Sequence, residues 1–144
     1  MSLYFDTSCF LKLLFTEPET PRVVELIAAE SKLVVSRLTH LEALVQVRGR
    51  EVAGTITRRE GDRVRLKMTN LLADPPFESA EISANVFRLA EREARAPRKM
   101  GPCRTLDRLH LATMEGLGLR RLLTNDDQQA SAAQALGFEV VLPR

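Results

Sequence analysis

The sequence is poor in cysteine and aromatic residues, and each shortage excludes a class of protein. Only two cysteines, Cys9 and Cys103, occur in 144 residues, too few for a disulfide framework and without the paired spacing of a zinc site. Both are expected to pack as small hydrophobic residues in a reducing compartment. Tryptophan is absent and aromatic residues make up 5% of the chain, so the core must be mainly aliphatic.

Long apolar segments are also missing. No run approaches the ~20 residues that a membrane-spanning helix needs, and no basic-then-apolar signal segment stands at the N-terminus. We therefore expect a cytoplasmic protein without membrane contact. Hydrophobic residues make up 44% and charged residues 28% of the chain, which predicts a folded protein. The length suits a single domain over residues 1–144, and the net charge of +2 is a mild basic bias compatible with a polyanionic partner.

Short apolar runs alternate with helix-start signals along the chain. Four strands are predicted, at residues 3–5, 33–36, 122–124 and 138–142. Helices are predicted between them, including a pair over 38–73 opened by the capping boxes Thr39–Glu42 and Thr57–Glu60, and another over 79–96. This alternation predicts an α/β fold of three layers, α/β/α, with a mostly parallel sheet of four to five strands and about seven helices.

Four acidic residues follow the predicted strands or open the predicted helices. Asp6 follows the first strand, Asp126 follows the third, Glu42 lies near the start of the helix after the second, and Asp107 lies near the helix start at Thr105. Ligands of open parallel sheets bind outside the carboxyl ends of the strands. The acids are therefore candidates for one shared site.

Each acid also has a purely structural explanation. Carboxylates near helix N-termini bind free N–H groups and stabilise the helix dipole by ~0.3–1 kcal/mol, and Glu42 fits a capping box. If all four converge, however, pairs of like charges ~4 Å apart repel by about 4 kcal/mol at an effective dielectric constant near 20. A divalent cation with hard oxygen ligands, Mg²⁺ or Mn²⁺, is the simplest compensation.

Four segments together resemble the acidic motifs of PIN-domain nucleases, in the same order and across nearly the whole chain. They are Tyr4-Phe5-Asp6-Thr7-Ser8, Leu38-Thr39-His40-Leu41-Glu42, residues 105–112 and Leu123-Thr124-Asn125-Asp126. The segment 133–141 also resembles the end of that family's sequences. The short chain is most similar to the VapC-like toxin branch.

The resemblance implies a function and a site. It implies Asp6, Glu42, Asp107 and Asp126 as catalytic metal-site carboxylates, with the Thr7 and Thr124 hydroxyl groups as supporting groups. It implies Mg²⁺- or Mn²⁺-dependent cleavage of single-stranded or loop RNA. It also implies a homodimer and a cognate antitoxin protein that blocks the site.

Several residues leave alternatives open. Asp127 could share the role of Asp126, and a Pro- and Arg-containing loop over 97–102 leaves the entry to the Asp107 motif open. His40 and His110 are expected to be ordinary neighbours of the motif acids, and His110 lies one turn after Asp107, where it could hydrogen-bond that acid. Two basic clusters could bind RNA or form a solvated helix face; they comprise Arg58, Arg59, Arg63, Arg65 and Lys67, then Arg98, Lys99, Arg104 and Arg108.

Other protein classes fit less well. A haloacid-dehalogenase-like phosphatase needs a second Asp where this chain has Ser8, and a receiver domain groups its acids early in the chain. A PIN-like nuclease that processes RNA without an antitoxin is an alternative within the resemblance. A non-catalytic PIN-like binding module is another, although the presence of all four acids argues against it.

Overall fold

The computed structural model describes residues 1–96 and 100–144, and in that part of the chain it contains the four predicted strands, a fifth strand and seven helices. The strands are β1 (Ser2–Phe5), β2 (Lys32–Ser36), β3 (Phe77–Ala80), β4 (Arg121–Leu123) and β5 (Glu139–Val141). The helices are α1 (Thr7–Leu14), α2 (Thr20–Ala28), α3 (Arg37–Ala53), α4 (Arg58–Ala73), α5 (Ala84–Arg95), α6 (Thr105–Leu117) and α7 (Asp127–Ala135).

The five strands form one parallel sheet in the order β3-β2-β1-β4-β5. Because side chains alternate along a strand, each central strand supplies both faces of the sheet. In β1, Leu3 and Phe5 pack with helices α1 to α4, whereas Tyr4 packs with α6 and α7 on the other face. The predicted three-layer α/β/α architecture is therefore confirmed.

The chain order of the sheet explains where a site can form. The connection from β1 leads to β2 on one side, whereas β4 pairs with β1 on the other. Strand β1 is thus central, and the carboxyl ends of β2, β1 and β4 lie side by side. Chain segments separated by more than a hundred residues meet at this edge, where an open parallel sheet binds its ligands.

The structure differs from the sequence prediction between residues 77 and 83. The helix predicted from residue 79 begins at Ala84, and residues 77–80 instead form edge strand β3, in register with β2 from Leu33–Phe77 to Ser36–Ala80. Only Phe77 in this strand is a large apolar residue, so no alternating pattern reveals it. Pairing with β2 decides its conformation.

The predicted capping box at Thr39 is also wrong. Helix α3 begins at Arg37, and its N-cap is Ser36, whose hydroxyl accepts a hydrogen bond from the Thr39 amide at 3.3 Å. In the second predicted capping box, Thr57 is the N-cap of α4 as expected and accepts from the Glu60 amide at 3.1 Å. The Glu60 side chain, however, accepts from the Thr57 hydroxyl at 3.2 Å rather than from the Thr57 amide. Glu42 therefore has no capping role in α3.

Among the described residues, no helix is long and apolar enough to cross a membrane.

The two cysteines are both packed against apolar residues. Cys9 is buried in the core, and burial raises the pKa of its thiol to about 12. Cys103 is partly buried against the apolar cluster that contains Tyr4, Leu111 and Phe138. Of the predicted basic loop over 97–102, residues 97–99 lie outside the described residues.

Candidate active site

The carboxylate of Asp6 lies where β1 passes into α1. Asp6 is the N-cap of α1, and its Oδ1 atom accepts from the Thr7 amide at 2.9 Å. Its Oδ2 atom accepts from the Thr124 hydroxyl at 2.7 Å and from the Ser8 hydroxyl at 3.0 Å. Thr124 follows β4, so two neighbouring strand ends fix one carboxylate in place.

Glu42 lies on the second turn of α3 and turns towards the same edge. Its Oε1 atom accepts from the Thr7 hydroxyl at 2.7 Å and lies 2.5 Å from Nε2 of His110, on α6. The two contacts join the start of α1, helix α3 and helix α6. The position of Glu42 therefore has an explanation outside helix capping.

Asp107 and Asp126 approach the edge from the starts of α6 and α7. Asp126 is the N-cap of α7, and its Oδ1 atom accepts from the amides of Gln128 and Gln129 at 2.8 and 3.1 Å. Arg104 connects the two acids, with Nε 3.1 Å from Oδ2 of Asp107 and Nη2 3.3 Å from Oδ2 of Asp126.

All four predicted acids line one cavity of about 250 Å³. Its other lining residues are Thr7, Ser8, Leu11, Gln46 and Arg104. The cavity excludes Asp127, whose side chain is 79% exposed and pairs with Arg144 at 2.8 Å. Of the two adjacent acids, the structure thus places Asp126 with the other three.

Burial and neighbouring charges act differently on two of these acids. Burial raises the pKa of Asp6 above its usual value, as does the nearby charge of Asp107, although His110 and the hydrogen bonds from Thr124 and Ser8 oppose the shift. For Glu42, burial also raises the pKa, but the hydrogen bond and charge of His110 and the hydrogen bond from Thr7 outweigh it, so that its pKa is lowered. Compared with a free carboxyl group, Glu42 therefore ionises more readily and Asp6 less readily.

The carboxylates do not yet surround one point. Among residues 1–96 and 100–144, no group of three or more His, Cys, Asp or Glu side chains is arranged so that it could hold a metal ion. The reason is visible in their partners, since Arg104 bridges Asp107 and Asp126 and the Oε1 atom of Glu42 faces His110. The donor set is nevertheless of the hard oxygen type that Mg²⁺ and Mn²⁺ prefer.

His110 is a neighbour of a motif acid, as expected, but that acid is Glu42. Its ring contacts Tyr4 and Glu42 rather than Asp107, with Nδ1 2.6 Å from the Tyr4 hydroxyl oxygen. The side chain is 1% exposed, on a buried stripe of α6 that combines the apolar Leu111 and Met114 with the polar Asp107 and Thr113. A polar residue in such a stripe, one turn from a motif acid, was the signal in the sequence that a buried polar contact was needed.

Two further residues of the site, Ser8 and Arg104, were not predicted from the sequence as site residues. Ser8 binds Asp6 and accepts from the Asn125 amide at 3.0 Å, which links the ends of β1 and β4. Arg104 was predicted only as part of a basic cluster. Of the described residues in that cluster, Arg104 alone lines the cavity of the four acids. Both could have been suspected from their closeness in sequence to Asp6 and Asp107.

The remaining basic residues and His40 lie elsewhere. On α4, Arg65 pairs with Glu51 and with Asp62, whereas Arg63 and Lys67 line a separate groove of about 620 Å³. His40 is partly exposed and contacts Arg37 and Ser79. Arg98 and Lys99 lie outside the described residues.

The chain is similar to known proteins over nearly its whole length. The family model described as PIN domain matches residues 3–135. The chain is 29% identical to Ribonuclease VapC46 of Mycobacterium tuberculosis (strain ATCC 25618 / H37Rv), over 99% of this chain and 98% of that protein.

Two solved structures illustrate the similarity of fold. The M. tuberculosis toxin VapC20, which cleaves the sarcin–ricin loop, superposes with a TM-score of 0.70 at 17% identity, covering 94% of this chain and 95% of that chain. A chain of a toxin–antitoxin complex from Klebsiella pneumoniae superposes with a TM-score of 0.65 at 20% identity, covering 99% and 98%.

Proposed function

The chain belongs to the PIN-domain family, and on that premise we propose that it is a divalent-metal-dependent endoribonuclease that hydrolyses RNA phosphodiester bonds. The observation that carries the proposal is the convergence of Asp6, Glu42, Asp107 and Asp126 on one cavity at the carboxyl edge of the sheet. Repulsion among four carboxylates is costly unless a cation compensates it. A stability role alone does not account for this arrangement.

The proposed roles follow from the positions of the side chains. Asp6, Asp107 and Asp126 would hold Mg²⁺ or Mn²⁺, with Glu42 as the fourth carboxylate. Such a cation, when bound, offsets phosphate charge and makes a water molecule more acidic. Thr124 and Ser8 hold Oδ2 of Asp6, and Thr7 holds Oε1 of Glu42, so that the hydroxyl groups orient both carboxylates.

Arg104 would contact the RNA. Its side chain is 70% exposed at the cavity, so it can exchange its carboxylate partners for a backbone phosphate when a cation enters. A guanidinium matches phosphate oxygens through two parallel hydrogen bonds. Contacts with backbone phosphates do not depend on the RNA sequence, so selectivity for a particular RNA must come from other residues around the cavity.

We further propose that this nuclease is the growth-inhibiting toxin of a VapBC-like pair and binds a cognate antitoxin protein in the cytoplasm. The full-length similarity to Ribonuclease VapC46 supports the ribonuclease activity, and the fold shared with the toxin VapC20 supports the toxin assignment. The match to a chain of a toxin–antitoxin complex supports the partner.

A homodimer is the proposed assembly. Leu38, Val86, Leu109 and Ala112 form a small apolar cluster that joins α3, α5 and α6. At this cluster, Phe87 is 52% exposed and lines a groove of about 370 Å³ together with Ala90 and Leu109. Exposed apolar surface of this kind is typical of protein interfaces.

The deciding experiment uses purified protein freed of any partner. We expect it to cleave single-stranded RNA when Mg²⁺ or Mn²⁺ is added and to stop when EDTA is added. Growth arrest on expression, relieved by the neighbouring gene's product, would support the toxin assignment. Cleavage without any such partner would favour an RNA-processing nuclease, and metal-dependent RNA binding without cleavage would favour a non-catalytic module.

A further inference from the structure

A buried row of hydrogen-bonded side chains runs beneath the cavity. The Tyr4 hydroxyl donates to Oγ of Ser36 at 2.9 Å, the Tyr4 oxygen lies 2.6 Å from Nδ1 of His110, and Nε2 of His110 lies 2.5 Å from Oε1 of Glu42. The four residues come from β1, β2, α3 and α6. The row therefore ties three separate layers of the fold to one carboxylate of the site.

The hydrogen of one contact in this row follows from counting donors. Because an ionised carboxylate only accepts, Nε2 of His110 carries the hydrogen in its contact with Oε1 of Glu42. On the other side of the ring, Nδ1 lies 2.6 Å from the Tyr4 oxygen. This contact fixes the orientation of the ring. Nε2 then points at Glu42, where it donates to Oε1.

The two oxygen atoms of Glu42 have different surroundings. Oε1 receives donors from both His110 and Thr7. No side chain among the described residues donates to Oε2. A carboxylate held through one oxygen in this way leaves its other oxygen for a ligand, and Glu42 lines the cavity of the four acids.

We propose that His110, oriented by Tyr4, is a positioning residue that anchors Oε1 of Glu42 and thereby presents Oε2 to a divalent cation. The inference rests on the proposed metal-dependent function. Groups that hold a metal ligand from behind restrict its orientation, and changing them weakens metal binding by about 10–100-fold. Here the restraint comes from a histidine 68 positions away from its carboxylate.

A purely structural histidine is the competing explanation. Tyr4 is fully buried and His110 is 1% exposed, so both need hydrogen-bond partners whatever their role. Ser36 could satisfy Tyr4, and a helix carbonyl or a serine could satisfy a buried histidine. The row instead ends on a residue of the cavity, which a structural role does not require.

The test measures Mn²⁺ affinity by electron paramagnetic resonance, with melting temperatures recorded in parallel. His110→Asn keeps a donor near the Nδ1 position but none that reaches Glu42, so we expect Mn²⁺ to bind about tenfold or more weakly. His110→Gln places an amide donor near the Nε2 position and should restore binding to within about threefold. Rescue by glutamine but not asparagine separates positioning from packing.

The matched control is Thr113→Val. Thr113 is fully buried on the same helix, but its hydroxyl donates to the carbonyl of Leu109, at 2.7 Å, and not to the site. We expect it to change the melting temperature without changing Mn²⁺ affinity. If His110→Asn fails to fold, Tyr4→Phe carries the test, because loss of one hydroxyl frees the ring and should weaken Mn²⁺ binding about threefold or more.

The outcomes distinguish this inference from the proposed function. If wild-type protein binds Mn²⁺ and cleaves RNA while His110→Asn and Tyr4→Phe bind Mn²⁺ equally well, His110 is a structural residue and only this inference fails. If asparagine and glutamine weaken binding equally, the positioning role is likewise overturned. If wild-type protein binds no Mn²⁺, both the inference and the metal-dependent function fail.

Discussion

Atom Nη2 of Arg104 lies 3.3 Å from Oδ2 of Asp126, which stands 22 positions further along the chain. The same guanidinium contacts Asp107, so one exposed cation neutralises part of the acidic cavity. A divalent cation that binds these carboxylate oxygens competes with the guanidinium for them. We therefore expect cation binding to displace Arg104.

Replacing Arg104 should have opposite effects on metal and RNA. In Arg104→Ala, we expect Mn²⁺ to bind about threefold more tightly, since a competing exposed ion pair is lost. The KM for RNA should rise. The negative slope of log affinity against log salt concentration should become shallower by about 0.7, as expected when one contact with a single-strand phosphate is lost. Arg22→Ala, which removes another exposed, ion-paired arginine, is the control. Unchanged KM and salt slope would contradict the RNA role of Arg104.

Asp6→Asn should abolish activity without unfolding the protein. An asparagine can keep the contact with the Thr7 amide and donate to the oxygens of Ser8 and Thr124. We expect kcat to fall at least ~100-fold, because changes behind a metal ligand alone cost about 10–100-fold. Cleavage at a near wild-type rate would mean that Asp6 is not a ligand.

The stability of Asp6→Asn should depend on pH. The pKa of Asp6 in the folded protein is raised, mainly by burial, so ionisation of Asp6 costs stability. This cost is absent below the ordinary carboxyl pKa and grows as the pH rises through the raised value. Metal-free Asp6→Asn should therefore melt at or above the wild-type temperature at neutral pH, with the difference vanishing in acid. Melting curves across the pH range, without metal, measure it.

The adjacent acids of the last motif should respond differently. Asp126→Asn should lose cleavage but fold normally, because asparagine is as good an N-cap as aspartate. Asp127→Asn removes only an exposed ion pair with Arg144 and should retain near wild-type activity. Parallel cleavage assays of the two variants measure this. The reverse pattern would assign the metal role to Asp127.

Divalent cations should stabilise the folded protein. At a concentration about a hundred times Kd, binding to the native state alone contributes ~2.7 kcal/mol, or roughly 6–10 °C in Tm for a chain of this size. Ca²⁺ should also raise Tm without supporting cleavage. Asp6→Asn serves as the control with a reduced shift. No shift in antitoxin-free protein at millimolar metal would count against a metal site at these carboxylates.

The proposed antitoxin should inhibit by inserting an Arg or Lys among Asp6, Glu42, Asp107 and Asp126. The contacts of Arg104 support this idea, since the cavity accepts a guanidinium between two of these acids. Arginine suits the role because its planar fork binds carboxylates through paired hydrogen bonds. An amphipathic antitoxin helix is expected to pack in a groove between the early helices.

The measurement is RNA cleavage by the intact complex after each basic residue in the antitoxin's C-terminal segment is replaced in turn. We expect one replacement to release activity while the complex persists. If all variants remain inhibited although the complex still forms, inhibition works by blocking RNA access.

The sequence by itself determined the α/β class and the places of strands β1, β2, β4 and β5 and of most helices between them. Apolar periodicity and helix caps act over a few residues, so Asp6 and Asp126 could be placed at strand ends and helix starts from neighbouring residues alone. The four acidic motifs could also be found from the sequence, because each consists of a few adjacent residues. Both acids do cap helices, so their structural and proposed functional roles coexist.

Only the tertiary structure decided which side chains meet. Edge strand β3 exists because its backbone pairs with β2, an interaction that no local pattern encodes. The contacts of His110 with Glu42 and of Thr124 with Asp6 join residues 68 and 118 positions apart, and they depend on β4 lying beside β1. Local propensity carries no information about such distant pairs, because their geometry is set by strand order and by packing of the layers between them.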